Sequence, residues 1–165
     1  MIRIFVTGGT FDKSYDEIKG RLVFGDTRVA EMLQLGRSRV EVAVRTLMMV
    51  DSLDMTDADR EIVTRSCEHC EESRIVVTHG TDTMVETATA IAARVRDKTV
   101  VLTGAMIPYA FGSSDGLFNL GSAVSFAQVL PPGVYVAMNG QHFSWDRVRK
   151  NKSTGVFESI PERSG

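Results

Sequence analysis

The chain has 165 residues, a length that fits one domain and does not comfortably fit two. Hydrophobic residues make up 43% and charged residues 24%, so a packed core is expected and disorder is excluded. A formal net charge of -2 gives no electrostatic case for nucleic acid or an anionic membrane as partner.

In chain order, short apolar runs alternate with longer amphipathic stretches. The runs cover residues 2–7, 40–50, 75–78, 100–103 and 134–138, and they are rich in Val and Ile without regular polar alternation. That is the pattern of parallel strands covered on both faces. Helices are expected over residues 27–35, 57–72, 83–96 and 115–129. The alternation predicts a single-domain α/β fold: a doubly wound, mostly parallel, flavodoxin-like sheet with helices on both faces. Thr83 with Glu86 reads as a capping box, and Thr56 with Asp59 as a weaker one. Residues 13–24 read as a mobile loop or a hairpin. Residues 159–165 read as a frayed tail after one folded domain over 1–158.

The first apolar run is too short for a secretory signal core and leads into a Gly-rich turn. No stretch approaches the ~18 apolar residues of a membrane span. Cys67 and Cys70 share one helix face and read as free thiols of a reducing compartment, so a cytoplasmic location is expected. Cys67-Glu68-His69-Cys70 lacks a fourth metal ligand at suitable spacing. It also sits late in a helix, where a redox C-x-x-C would open one.

Chemistry gathers after the strands. The turns are Thr7-Gly8-Gly9-Thr10, Asp51-Ser52, Thr78-His79-Gly80-Thr81-Asp82, Thr103-Gly104-Ala105 and Asn139-Gly140. In an open parallel sheet these carboxyl ends are where ligands bind. Each turn alone has a plain structural reading. Gly8-Gly9-Thr10 lacks both dinucleotide and phosphate-loop spacing, Asp82 suits a helix start, Ser52 a solvated loop, Lys150 a solvated basic run and Tyr15 loop packing.

Together the turns resemble the bacterial-type L-asparaginase family. The match is carried by Thr7-Gly8-Gly9-Thr10, by His79-Gly80-Thr81-Asp82-Thr83-Met84-Val85-Glu86-Thr87, by Gly104-Ala105-Met106-Ile107-Pro108, and by Ser114-Asp115-Gly116-Leu117-Phe118-Asn119-Leu120. It runs over residues 4–157, and its second segment is the most specific.

The resemblance implies an amidohydrolase that releases ammonia from L-asparagine without metal or cofactor. It implies Thr10 as nucleophile, Tyr15 on a flexible lid as its activator, and Thr81, Asp82 and Lys150 as a second catalytic cluster. Ser52 would hold the substrate α-carboxylate, Asp82 the α-ammonium and the Ala105 carbonyl the side-chain amide, with Asp51, Leu53 and Gly80 lining the same pocket. The chemistry is coherent. A threonine hydroxyl needs a nearby base, a lysine acts as one only where its surroundings favour the neutral form, and backbone N–H groups can hold the oxyanion.

The resemblance also implies a homo-oligomer, a dimer or tetramer. Longer members use a second domain to contact the neighbouring subunit's substrate. The chain matches only their N-terminal catalytic domain, and Leu53 stands where they usually carry a polar side chain. Weaker substrate binding and a poor fit to glutamine follow. Two other readings stay open: a glutaminase-leaning amidase or ammonia-supplying amidotransferase subunit, and a non-catalytic amino-acid-binding module.

Overall fold

The computed structural model describes residues 1–161. Its main sheet has six strands in the order β4-β1-β5-β6-β7-β8. These are β1 (Ile2–Val6), β4 (Val42–Thr46), β5 (Arg74–Thr78), β6 (Thr99–Thr103), β7 (Gly133–Met138) and β8 (Gln141–Ser144). The first five pair in parallel, and β8 returns antiparallel on β7. Counting the parallel strands alone, the order is 2-1-3-4-5, the flavodoxin-like winding expected from the sequence.

Period-2 side-chain alternation fills two cores. Ile2, Ile4, Val6, Val76 and Val101 face α1 (Val29–Leu35) and α4 (Gly116–Val129). Phe5, Ile75, Val77, Val100 and Leu102 face α2 (Asp57–His69) and α3 (Met84–Ala92). All ten are at most 2% exposed, and each such side chain stabilises the fold by about 1.5–3 kcal/mol. In α3, Met84, Thr87, Ala88 and Ile91 are buried at helical spacing.

Several expectations need correction. Paired strand in the second run is confined to Val42–Thr46, because the chain then crosses the end of β1, with Leu47 N–H bonding to Val6 O and Val50 N–H to Thr7 O. The capping at the two helix starts is the reverse of that expected. Thr56 makes a complete capping box with Asp59. Thr83 makes no cap bond and donates its hydroxyl to Ser52 O at 2.8 Å.

Residues 13–24 form a hairpin of β2 (Lys13–Asp16) and β3 (Arg21–Phe24). A further pair, β9 (Val148–Lys150) and β10 (Phe157–Ser159), follows the sheet. Ser159 is thus paired with Val148, and of the expected tail residues 162–165 lie outside those described. No helix among the described residues is long and apolar enough to cross a membrane.

Candidate functional site

β1 and β5 are neighbours, but the chain leaves β1 toward β4 on one side, while β5 is followed by β6 on the other. A crevice opens at such a divergence, outside the carboxyl ends of the strands. The strand ends are locked together there. Thr7 donates both its N–H and its hydroxyl to Thr78 O, at 3.1 and 2.9 Å, and the Thr103 hydroxyl donates to Ala137 O at 2.8 Å. These threonines therefore serve the frame.

Two glycines let the turns meet. Gly9 has φ 88°, and a Cβ on it would lie 2.5 Å from Gly80 N. A Cβ on Gly80 would lie 2.5 Å from Ser52 Oγ. No side chain fits at either point, so the backbone of the Thr10 turn lies on the Gly80-Thr81 turn, and Ser52 closes against the other side. Thr10 opens a single 3-10 turn, Thr10–Asp12. Ser52 is 1% exposed, Thr81 is 6% exposed, and Gly80 and Ala105 are buried.

Lys150 comes from β9. In the run Arg147-Val148-Arg149-Lys150, strand alternation sends Arg149 to Glu158 on the surface and Lys150 inward. Its Nζ donates to Thr81 Oγ1 at 2.8 Å and to Asp82 Oδ1 at 2.7 Å. Its side chain is only 13% exposed, whereas that of Asp82 is 46% exposed and open to a ligand. The Thr81 hydroxyl hydrogen is left to donate elsewhere, with Met106 Sδ at 3.6 Å.

Asp51 is engaged by a residue not singled out from the sequence. Lys13, at the start of the hairpin, bonds its carboxylate, and the Leu53 N–H bonds the other oxygen at 3.0 Å. These two donors, the lysine first, hold the Asp51 carboxyl below its usual range. Lys13 Nζ also lies 5.4 Å from the Phe24 ring centre. Leu53 itself is 71% exposed.

Tyr15 shares the Lys13 face of β2 by strand alternation. It is 59% exposed, its hydroxyl lies toward Gly20 at the hairpin turn, and it has no hydrogen-bond partner among the described residues. The structure therefore joins Thr81, Asp82 and Lys150 directly and stacks Gly9, Gly80 and Ser52, with Thr10 next in the chain after Gly9, but leaves the Tyr15 hydroxyl out of both.

Asn119, on α4, belongs to the segment over residues 114–120, in which the sequence predicts no role for it. Its Nδ2 donates to Gly104 O and to Asp115 Oδ2, both at 2.9 Å, while Oδ1 accepts from Asn139 N–H at 3.0 Å. Asp115 in turn accepts from the Met106 and Ile107 N–H groups at 3.0 Å. One amide thus fixes the Gly104-Ala105 turn against two neighbours. The available signal was an amide side chain set between Phe118 and Leu120 on α4. A separate cavity of about 580 Å³ between α1 and α4 is lined largely by apolar residues and offers no cluster of reacting groups. Among the described residues no group of three His, Cys, Asp or Glu is placed to hold a metal ion.

The chain is similar to known proteins over nearly its whole length. It is 31% identical over 161 residues to an L-asparaginase of Thermococcus kodakarensis, covering 93% of this chain and 49% of the other. To L-asparaginase 2 of Escherichia coli it is 32% identical over 173 residues, covering 96% and 49%. The solved structure of the thermostable L-asparaginase from Thermococcus kodakarensis superposes with a TM-score of 0.84 at 32% identity, over 96% of this chain and 51% of that one. The chain therefore spans about half the length of these relatives. The family described as "Asparaginase, N-terminal" matches residues 1–163, and the chain belongs to the asparaginase family.

Proposed function

We propose that the chain hydrolyses the side-chain amide of L-asparagine to L-aspartate and ammonia. The observation that carries this reading is the contact of Lys150 Nζ with both Thr81 Oγ1 and Asp82 Oδ1, on the turn against which the Thr10 turn packs. The names of its relatives support the same substrate.

Either Thr10 attacks the amide carbon and expels ammonia, leaving an acyl-enzyme that water then hydrolyses to L-aspartate and free Thr10, or Thr10 directs a water that attacks the amide carbon itself. The Thr81–Lys150 pair accepts the proton released and returns it to the leaving ammonia. Backbone N–H groups of the Gly-rich turns face the oxyanion. Ser52, with Gly80 beside it, receives the α-carboxylate. Asp82 receives the α-ammonium, since nearly half of its side chain faces solvent. The Ala105 carbonyl accepts from the amide, in a turn that Asn119 holds rigid at Gly104. Asp51 is neutralised by Lys13 and so shapes the pocket without repelling the α-carboxylate. Leu53 walls the site. Tyr15 acts when the hairpin closes, bringing its hydroxyl from the hairpin turn toward Thr10.

An assembly of identical subunits and a cytoplasmic location complete the proposal. They are supported by exposed Met106, Ile107 and Phe111 on the loop beside the hairpin, and by the free thiols of Cys67 and Cys70. The test is a coupled ammonia assay with L-asparagine, L-glutamine and D-asparagine side by side. Release from L-asparagine above the other two supports the reading, and silence with all three ends it.

A further inference from the structure

His79 directly precedes Gly80 and has no part in the chemistry above. It is 0% exposed. Its N–H donates to Thr103 O at 2.8 Å, which extends the β5–β6 ladder by one residue. Its ring spans the turn from end to end. Nδ1 lies 2.7 Å from Gly80 O, and Nε2 lies 2.8 Å from Thr87 Oγ1, with Met55 Sδ at 3.2 Å.

The partners fix the tautomer. A carbonyl oxygen only accepts, so Nδ1 carries the hydrogen. Burial makes the imidazolium costly, and the ring titrates at about 4. In the neutral ring Nε2 is therefore an acceptor, and the Thr87 hydroxyl donates to it.

The carbonyl that His79 holds belongs to the peptide joining Gly80 to Thr81. The two residues it joins have three other constraints: Gly9 lies against Gly80 N, Ser52 lies against the α-carbon of Gly80, and Lys150 donates to the Thr81 hydroxyl oxygen. A glycine peptide rotates freely unless something holds its carbonyl. We propose that His79 is a positioning residue for this reaction: the Thr87–His79–Gly80 relay sets the Gly80-Thr81 peptide plane so that Thr81 Oγ1 faces Lys150. The inference rests on the hydrolysis proposed above for its kinetic readout.

Two amide replacements separate positioning from simple packing. In H79N the amide nitrogen takes the place of Nδ1 and restores the donor to Gly80 O. In H79Q the amide oxygen takes the place of Nε2 and accepts from the Thr87 hydroxyl, while Gly80 O is left without its donor. Asn is one methylene smaller than Gln, so packing alone predicts the larger void and the larger losses of melting temperature and activity in H79N. Positioning predicts that H79N keeps kcat within roughly threefold of the parent, while H79Q loses about 10²-fold with KM changed far less, the cost of misaligned reacting groups. Equal kcat in the two variants, or losses that track melting temperature, would overturn the assignment.

Should both variants fail to fold, the ring nitrogens of the unmodified protein give the answer by ¹⁵N NMR. A neutral ring protonated at Nδ1 supports the relay, and one protonated at Nε2 refutes it. The same spectrum judges the relay if the parent protein releases no ammonia. That outcome would count against the proposed hydrolysis and would leave the tautomer result standing.

Discussion

Lys150 Nζ lies 2.8 Å from Thr81 Oγ1, across 69 positions of sequence. The contact exists because β9 pairs with β10 and turns one residue of a basic run inward, toward the turn after β5. It is the relationship on which the proposed proton transfer depends. Lys150→Met keeps the chain length and removes the ammonium, and Thr81→Val keeps the shape and removes the hydroxyl. Each is expected to lower kcat by about 10²–10⁴-fold. The double variant should lose little more than either single one, because the two groups act as a unit. A steady-state comparison of the four proteins checks this, and multiplicative losses would show independent roles.

Lys13 and Asp51 tie the hairpin to the loop that carries Ser52. Their side chains are 19% and 31% exposed, so salt partly screens the pair. Lys13→Met releases the hairpin and leaves Asp51 as an uncompensated negative charge beside the α-carboxylate site. The expected result is a KM raised by about 10-fold, with kcat affected less, and recovery of much of the loss in Lys13→Met combined with Asp51→Asn. Substrate titrations at two ionic strengths measure both effects.

The buried neutral ring of His79 also shapes acid stability. Burial pushes its folded value down to about 4, below the ordinary 6.5 of an imidazole. The unfolded chain gains a proton as pH falls through 6.5, while the folded chain resists until about 4. Stability is therefore fully present above pH 6.5 and is lost as pH falls toward 4, by about 3 kcal/mol from this group alone. In H79N and H79Q that part of the slope disappears. Urea unfolding at pH 7 and pH 5 reads it as a smaller difference in midpoint than the parent shows.

Among the described residues, the Thr56–Asp59 box makes no hydrogen bond to the candidate site residues. Asp59 N–H donates to Thr56 Oγ1 at 3.3 Å, and Thr56 N–H donates to Asp59 Oδ2 at 2.8 Å. Thr56→Ala should cost about 1 kcal/mol of stability, with KM and kcat within twofold of the parent. Thermal melting paired with the ammonia assay tests it. A large change in KM would mean that this helix start holds the Ser52 loop in place.

The main sheet was legible because its strands are apolar runs of Val and Ile, but the face each helix covers was not, because α4 packs beside α1 and not on the α2–α3 face that right-handed crossovers alone would give it. The turns were legible because hydroxyls, carboxylates and glycines recur after successive strands. What escaped depended on contacts distant in sequence. Asn139-Gly140 adopts φ 53° and 78° and reverses the chain into β8, a two-residue hairpin turn where the sequence pattern predicts only the end of a strand. Lys13 was passed over because its partner, Asp51, lies 38 residues on. Thr83 matched a capping pattern, but its hydroxyl found a carbonyl on another turn. Asn119 and His79 lie within quoted motifs, yet their bonds to Gly104 O and Gly80 O emerge only when the turns are assembled.

The most direct test of the central claim is single-turnover ammonia release from L-asparagine by the parent protein, Thr10→Ala and Lys150→Met. The account predicts release by the parent and a fall of at least about 10²-fold in both variants, with L-aspartate still bound by Thr10→Ala. Undiminished release by either variant would contradict it.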